Sequence, residues 1–333
     1  MKEAMLYQKE ENGKVHCFLC SHHCRISDGK FGFCKVRQNI DGTLYTHSYG
    51  KLIAQQVDPI EKKPLYHFYP GTESFSIATK GCNFTCGFCQ NWQISQTAKE
   101  KSVFIGEVSA EYIVKKAIES GCRSISCTYT EPTIYFEYAY EVCNIAKSKG
   151  LSTAFVTNGY MTNEALQTIR PYLDACNIDL KSFNDDFYRK NCGARLEPVL
   201  QTIRDAYKAE LWVEITTLVI PGENDSEDEL EKIAEFIAEL SPDIPWHISR
   251  FFPQYEFGQK EITKVETIEH AKTIGLKAGL RYVYLGNVPG ESNTICYNCK
   301  NVVIQRDGYR VKKISVLKNR CPVCSTHISG KWK

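Results

Sequence analysis

Sixteen of the 333 residues are cysteine, and most fall into three tight groups, which constrains this chain more than any other feature. The groups are Cys17, Cys20, Cys24 and Cys34; then Cys82, Cys86 and Cys89; then Cys296, Cys299, Cys321 and Cys324. The amino terminus, MKEAMLYQKEENGK, has no apolar core of signal-peptide length, and no run approaches the roughly 18 apolar residues of a membrane span. A cytoplasmic protein is therefore expected. That compartment keeps thiols reduced, so clustered cysteines read as metal ligands rather than as a disulfide framework. The scattered Cys122, Cys127, Cys143, Cys176 and Cys192 read as small core residues.

The middle group, GCNFTCGFCQNW, spaces its thiols C-x-x-x-C-x-x-C with no fourth cysteine nearby. Thiolates select iron–sulfur clusters or zinc. A cubane held at three corners leaves one iron open to another ligand, whereas a structural zinc closes with a fourth protein ligand. A zinc completed by a distant cysteine or histidine is the alternative. At the carboxyl end, Cys296-x-x-Cys299 and Cys321-x-x-Cys324 flank a hairpin-like VVIQRDGY and VKKISVL, the pattern of a zinc ribbon, with a rubredoxin-like iron as the rival. At the amino end, Cys17, Cys20, Cys24 and Cys34 suit an auxiliary iron–sulfur cluster or a zinc, with His16, His22 and His23 as competing ligands.

The middle group resembles the cluster motif of the radical S-adenosylmethionine (SAM) superfamily. The sequence around it is similar to one branch, the AmmeMemoRadiSam-system radical SAM enzymes, relatives of the pyruvate formate-lyase activating enzymes. Segments carrying the likeness run along nearly the whole chain: CFLCSHHC, GFCKVRQN, DPIEKKPLYHFYPG, GCNFTCGFCQNWQISQ, YTEPTIYFEY, VTNGY, NIDLKSF, WVEITTLVIPGENDS and PWHISRFFP. The resemblance implies a [4Fe-4S] cluster on Cys82, Cys86 and Cys89 whose open iron binds SAM. Reduction of that cluster would give methionine and a 5′-deoxyadenosyl radical. It also implies a one-electron reductant such as ferredoxin or flavodoxin, and Ammecr-type and Memo-type partner proteins.

From residue 75, β-branched runs alternate with amphipathic segments. The strand-like runs are 75–79, 123–129, 152–157, 175–180, 212–220, 245–251 and 281–286; helical segments include 110–120, 133–149, 162–172, 226–240 and 265–278. This beat predicts βαβ units, a parallel sheet and an α/β partial (βα)6 TIM-like barrel. The expected organisation is a Cys-rich extension over 1–70, the barrel over 71–290 and a zinc-ribbon-like module over 291–333. In such barrels chemistry gathers at the carboxyl ends of strands, and there the polar signals fall.

Carried over from the family pattern, Tyr129, Thr130 and Glu131 in TYTEP would receive the SAM amino group, although the familiar Gly-Gly-Glu-Pro is absent. Asp179 and Lys181 leave their strand on one face, suited to an ion pair beside SAM or substrate. Asn158 and Gly159 would let backbone approach the ligand closely. Some activating enzymes carry an arginine where this chain has Thr216, so that contact is not transferred. His247 and Arg250 are candidate substrate contacts, a satisfied core histidine being the bland alternative.

Lysine plus arginine number 41 against 39 aspartate plus glutamate, so no bulk attraction to nucleic acid or anionic lipid is built in. The substrate stays open: a protein glycyl site, an RNA base or a small metabolite. Two other classes compete. An iron–sulfur electron-transfer or zinc-binding adaptor would close the 82–89 site with a fourth protein ligand. A methyltransferase using SAM without a cluster would need a glycine-rich loop where the cysteine motif stands.

Overall fold

The computed structural model describes residues 1–96 and 106–332. Its centre is an eight-stranded sheet whose spatial order follows the chain: β1 (Leu52–Pro59), β2 (Glu73–Thr79), β3 (Ser124–Cys127), β4 (Ser152–Thr157), β5 (Ala175–Asp179), β6 (Trp212–Val219), β7 (Trp246–Arg250) and β8 (Val283–Gly286). From β2 to β8 every neighbouring pair is parallel. Only β1, unforeseen in the sequence, runs antiparallel, against β2. Continuous burial along β2, β3 and β4 explains why these strands read as apolar runs rather than alternations: both faces are covered.

Six helices connect the parallel strands: α1 (Ala110–Glu119), α2 (Phe136–Ser148), α3 (Asn163–Ile169), α4 (Leu196–Lys208), α5 (Glu227–Leu240) and α6 (Val265–Lys277). Ser109, Thr162 and Ser226 start α1, α3 and α5 by accepting a hydrogen bond from the backbone N–H three residues on, and an acidic residue follows each in the first turn. The expected 133–149 helix begins instead as a 3-10 turn, Pro132–Tyr135, capped by the Glu131 side chain. The 162–172 helix ends at Ile169 before Pro171. Helix α4 was not expected; its Leu196, Val199, Leu200, Ile203 and Ala206 are buried at helical spacing.

The amino-terminal cysteines lie on and between the strands Val15–Cys17, Arg25–Ile26 and Arg37–Ile40 of two small antiparallel sheets. At the carboxyl end, β10 (Val302–Asp307) and β11 (Arg310–Ile314) form an antiparallel hairpin between the two cysteine pairs, as the hairpin reading predicted, and β9 (Thr294–Ile295), just before Cys296, adds a third strand to it. This sheet docks through Arg306, fully buried, which donates to the Tyr66 carbonyl at 2.6 Å and to Thr294 Oγ1 at 2.7 Å and faces Glu61. Among the described residues no helix is long and apolar enough to cross a membrane.

Candidate active site

The loop leaving β2 is held from several sides, which fixes where its three thiols point. Gly81 N–H donates to the Ile94 carbonyl, Thr85 N–H to Cys192, and Gly87 N–H to Asn191, at 2.9 to 3.2 Å. Glu256 and Phe257 N–H groups return to the Gly87 carbonyl. Gly87 is closely covered: a Cβ there would stand 3.0 Å from Glu256 Oε2 and 3.1 Å from the Phe257 ring. Asn91 Nδ2 donates to the Tyr129 carbonyl at 2.9 Å and so couples this loop to the end of β3.

Cys82, Cys86 and Cys89 all open onto one cavity of about 490 Å³ at the carboxyl ends of the strands. That volume is in the range of small-molecule and cofactor sites. The wall includes Thr128 to Glu131 after β3, Thr157 and Asn158 at β4, Asp179 and Lys181 at β5, and Thr216 and Leu218 on β6. The polar signals after β2, β3, β4 and β5 thus meet here, whereas the expected fifth, Pro221 to Asn224 after β6, does not line the cavity, and β6 contributes Thr216 and Leu218 instead.

The thiols are not ready to ionise alone. Burial and then the Glu131 carboxylate push Cys82 well up, the Cys192 thiol and burial do so for Cys86, and burial raises Cys89. A buried soft donor set of this kind is completed by a cationic metal centre that stabilises the thiolates. The three thiols therefore fit an iron–sulfur cluster chemically. Nearby donors would help hold it: Phe84 N–H lies 3.3 Å from Cys82 Sγ, and Ser95 Oγ 3.1 Å from Cys89 Sγ.

Glu131 is a staple rather than a free acceptor. Its Oε1 accepts from Thr133 N–H at 3.1 Å, Thr133 Oγ1 at 2.5 Å and Thr157 Oγ1 at 2.7 Å, and its Oε2 accepts from Asn158 N–H at 2.8 Å. Burial nevertheless raises its pKa. Asn158 Nδ2 donates to Asn83 Oδ1 at 2.7 Å and so ties β4 to the cysteine loop. Lys181 Nζ pairs with Asp179 Oδ2 at 2.9 Å, as the strand alternation predicted. Although burial opposes its charge, the Asp179 carboxylate beside it raises the Lys181 pKa. Tyr129 adopts a left-handed φ of 63°, and its hydroxyl donates to Asp58, which also pairs with Lys62 and Lys63.

Three expectations meet a different placement. Gly159 does not line the cavity; with φ at 71°, a Cβ there would press to 2.8 Å from Ile178 Cγ2, so this glycine serves packing. His247 is buried 3% exposed, with Nε2 at 2.6 Å from Glu214 Oε2, beneath the cavity rather than in it. It shares a strand face with Ser249, which does line the cavity two residues nearer the carboxyl end. Arg250 points to the opposite face, where Nε donates to the Thr263 carbonyl. Ser249, Asn287, Lys62 and Tyr309 line the cavity without having been singled out. Tyr309 comes from the β10–β11 turn, far away in sequence, so no local pattern could announce it.

The carboxyl-terminal cysteines converge most tightly: all four thiols lie within 4.8 Å of one another, with Cys296 to Cys324 and Cys299 to Cys321 each 3.6 Å apart. This is a metal-binding arrangement.

Residues 76–237 match the Radical SAM superfamily. An uncharacterised protein of Methanocaldococcus jannaschii is 45% identical, covering 98% of this chain and 99% of its own length. A second protein of that organism, provisionally described as a glycyl-radical enzyme activating enzyme, is 30% identical, over 65% of this chain and 80% of its own. A radical SAM methyltransferase from Sphaerobacter thermophilus aligns in structure with a TM-score of 0.52 and 16% identity, covering 66% of this chain and 67% of that one, a likeness of fold alone.

Proposed function

The chain belongs to the radical SAM superfamily, and on that premise we propose that Cys82, Cys86 and Cys89 hold a [4Fe-4S] cluster beside a SAM site in the strand-end cavity. The observation that carries this reading is the opening of all three thiols, with no fourth cysteine, onto a cavity walled by residues on or just after the strands β2 to β8. When bound and reduced, the pair supplies a 5′-deoxyadenosyl radical that abstracts hydrogen from the substrate.

The residues around the cavity divide the remaining work. Asp179 and Lys181 offer a preformed ion pair to the charged methionyl end of SAM. With Glu131 engaged between β3 and β4, the SAM amino group would be received by a backbone carbonyl of Thr128 to Thr130, of which Thr128 and Tyr129 already accept one hydrogen bond each, from Thr130 N–H and Asn91 Nδ2. Asn158 keeps the β4 end against the cysteine loop. Tyr309, from the β10–β11 turn, adds an aromatic side chain to the cavity wall.

The uninterrupted parallel order from β2 to β8 supports a partial (βα) barrel, with a Cys-rich extension before about residue 70 and a zinc-ribbon module after about residue 290. The 3.6 Å sulfur spacings support a single zinc in that ribbon. The finer kinship we infer is with the AmmeMemoRadiSam-system enzymes, acting on a protein or RNA site in the cytoplasm, with a ferredoxin or flavodoxin as donor and Ammecr-type and Memo-type proteins as functional partners.

Anaerobically reconstituted enzyme, given dithionite and SAM, is expected to release 5′-deoxyadenosine, and the C82A/C86A/C89A variant to release none. Product formation surviving in that variant overturns the assignment.

A further inference from the structure

The amino-terminal cysteines, whose spacing leaves zinc and iron–sulfur both open, face one cavity together with Phe33, Arg37, Thr133 and Ile134. None of His16, His22 or His23 lines it. In a tetrahedral zinc site with Zn–S near 2.3 Å, neighbouring sulfurs stand about 3.8 Å apart. The carboxyl-terminal group meets that spacing at 3.6 Å. Among the described residues, no other three cysteine, histidine or acidic ligand atoms gather within 4.8 Å, the amino-terminal thiols included. They ring their cavity more widely than one ion bridges. A four-iron core, whose thiolates attach at separate corners, suits that spacing.

A second observation points the same way. Arg37 is 1% exposed and ion-paired with the buried Glu137 carboxylate, while its Nη1 lies 3.4 Å from Cys17 Sγ and its Nε has no hydrogen-bond partner. Phe33 N–H lies 3.5 Å from Cys24 Sγ. N–H groups aimed at the sulfurs stabilise thiolates bound to a cluster.

The position is informative too. A Cβ on Gly81 would stand 3.5 Å from the Cys34 carbonyl oxygen, and Cys34 and Cys82 line a common small cavity. His22 Nε2 bonds to the Asn83 carbonyl at 2.7 Å. The two thiol groups therefore share a wall.

We propose that Cys17, Cys20, Cys24 and Cys34 hold a second iron–sulfur cluster that serves as the electron entry port for the Cys82 loop. The role as a port rests on the radical reading of that loop. One electron enters from a reduced ferredoxin- or flavodoxin-class donor, and the same electron passes on, so no bond forms or breaks and the port returns to its oxidised state.

Metal analysis of reconstituted full-length protein tests the site directly. About eight irons, eight sulfides and one zinc per chain are expected; about four irons, four sulfides and two zincs overturn it. A C20S/C34S variant should lose half the iron, keep dithionite-driven deoxyadenosine formation, and lose turnover driven by the protein donor. Undiminished donor-driven turnover in a variant lacking that iron overturns the port. Should the variant not fold, the wild-type metal counts and the presence of a second reduced-cluster signal unaffected by SAM decide the site. Wild-type protein that binds eight irons but yields no deoxyadenosine with dithionite would count against the Cys82 loop reading and leave the second cluster standing.

Discussion

Gly159 is a residue whose backbone decides what can be there. Its φ of 71° strains any side chain, and a Cβ would meet Ile178 Cγ2 at 2.8 Å and Val199 Cγ1 at 3.3 Å. Gly159→Ala is expected to lower unfolding stability by about 1 to 3 kcal/mol, measured by denaturant titration; an unchanged midpoint would show that the β4–α4 contact yields freely. The same residue marks how far the sequence could be read. Its need for a glycine was visible, but the reason, packing rather than ligand approach, depended on where Ile178 arrives from β5. Asp179 and Lys181 were legible because strand alternation fixes their shared face. His247 obeyed the same rule, yet the rule gives the face and not the depth. Glu214, two strand positions below the cavity-lining Thr216, claims it.

At the scale of elements, the docking of the carboxyl-terminal segment runs through His67. Ser329 contributes a carbonyl 2.6 Å from His67 Nδ1, so that nitrogen carries the proton, and Nε2 accepts from the Tyr284 hydroxyl at 2.6 Å. Burial, partly opposed by Glu214, pushes His67 down to about 4. In the unfolded chain a histidine takes its proton near pH 6.5, so between about 6.5 and 4 the unfolded state binds more protons and stability falls as the pH falls. Thermal unfolding followed across that window should show this loss, up to about 3 kcal/mol from His67, and His67→Gln should flatten it while being less stable at neutral pH. An unchanged slope in the variant would contradict the assignment. Strand positions were legible to within a few residues because parallel strands are long apolar runs. Helix α4 was equally periodic, with Pro198 in a first turn that tolerates it. Strand β1 was not legible: its polar Gln55–Gln56 reads as a loop, and only its pairing with β2 makes it a strand.

For the whole molecule, a sheet wound in one direction brings residues on or just after β3 to β8, the cysteine loop and the tip of the β10–β11 hairpin to one cavity. The three-thiol loop, the tight carboxyl-terminal set and the wider amino-terminal ring were each legible as cysteine groups. Their different sulfur spacings, and the shared wall between the first and second groups, arise only when distant segments pack. The account stands or falls on whether the Cys82–Cys86–Cys89 centre keeps one coordination position open for SAM. Electron paramagnetic resonance of the dithionite-reduced enzyme, frozen with and without SAM, tests this most directly. The account predicts that the signal component lost in the C82A/C86A/C89A variant changes shape when SAM is added. A component identical with and without SAM would mean that a fourth protein ligand closes the centre, and would contradict it.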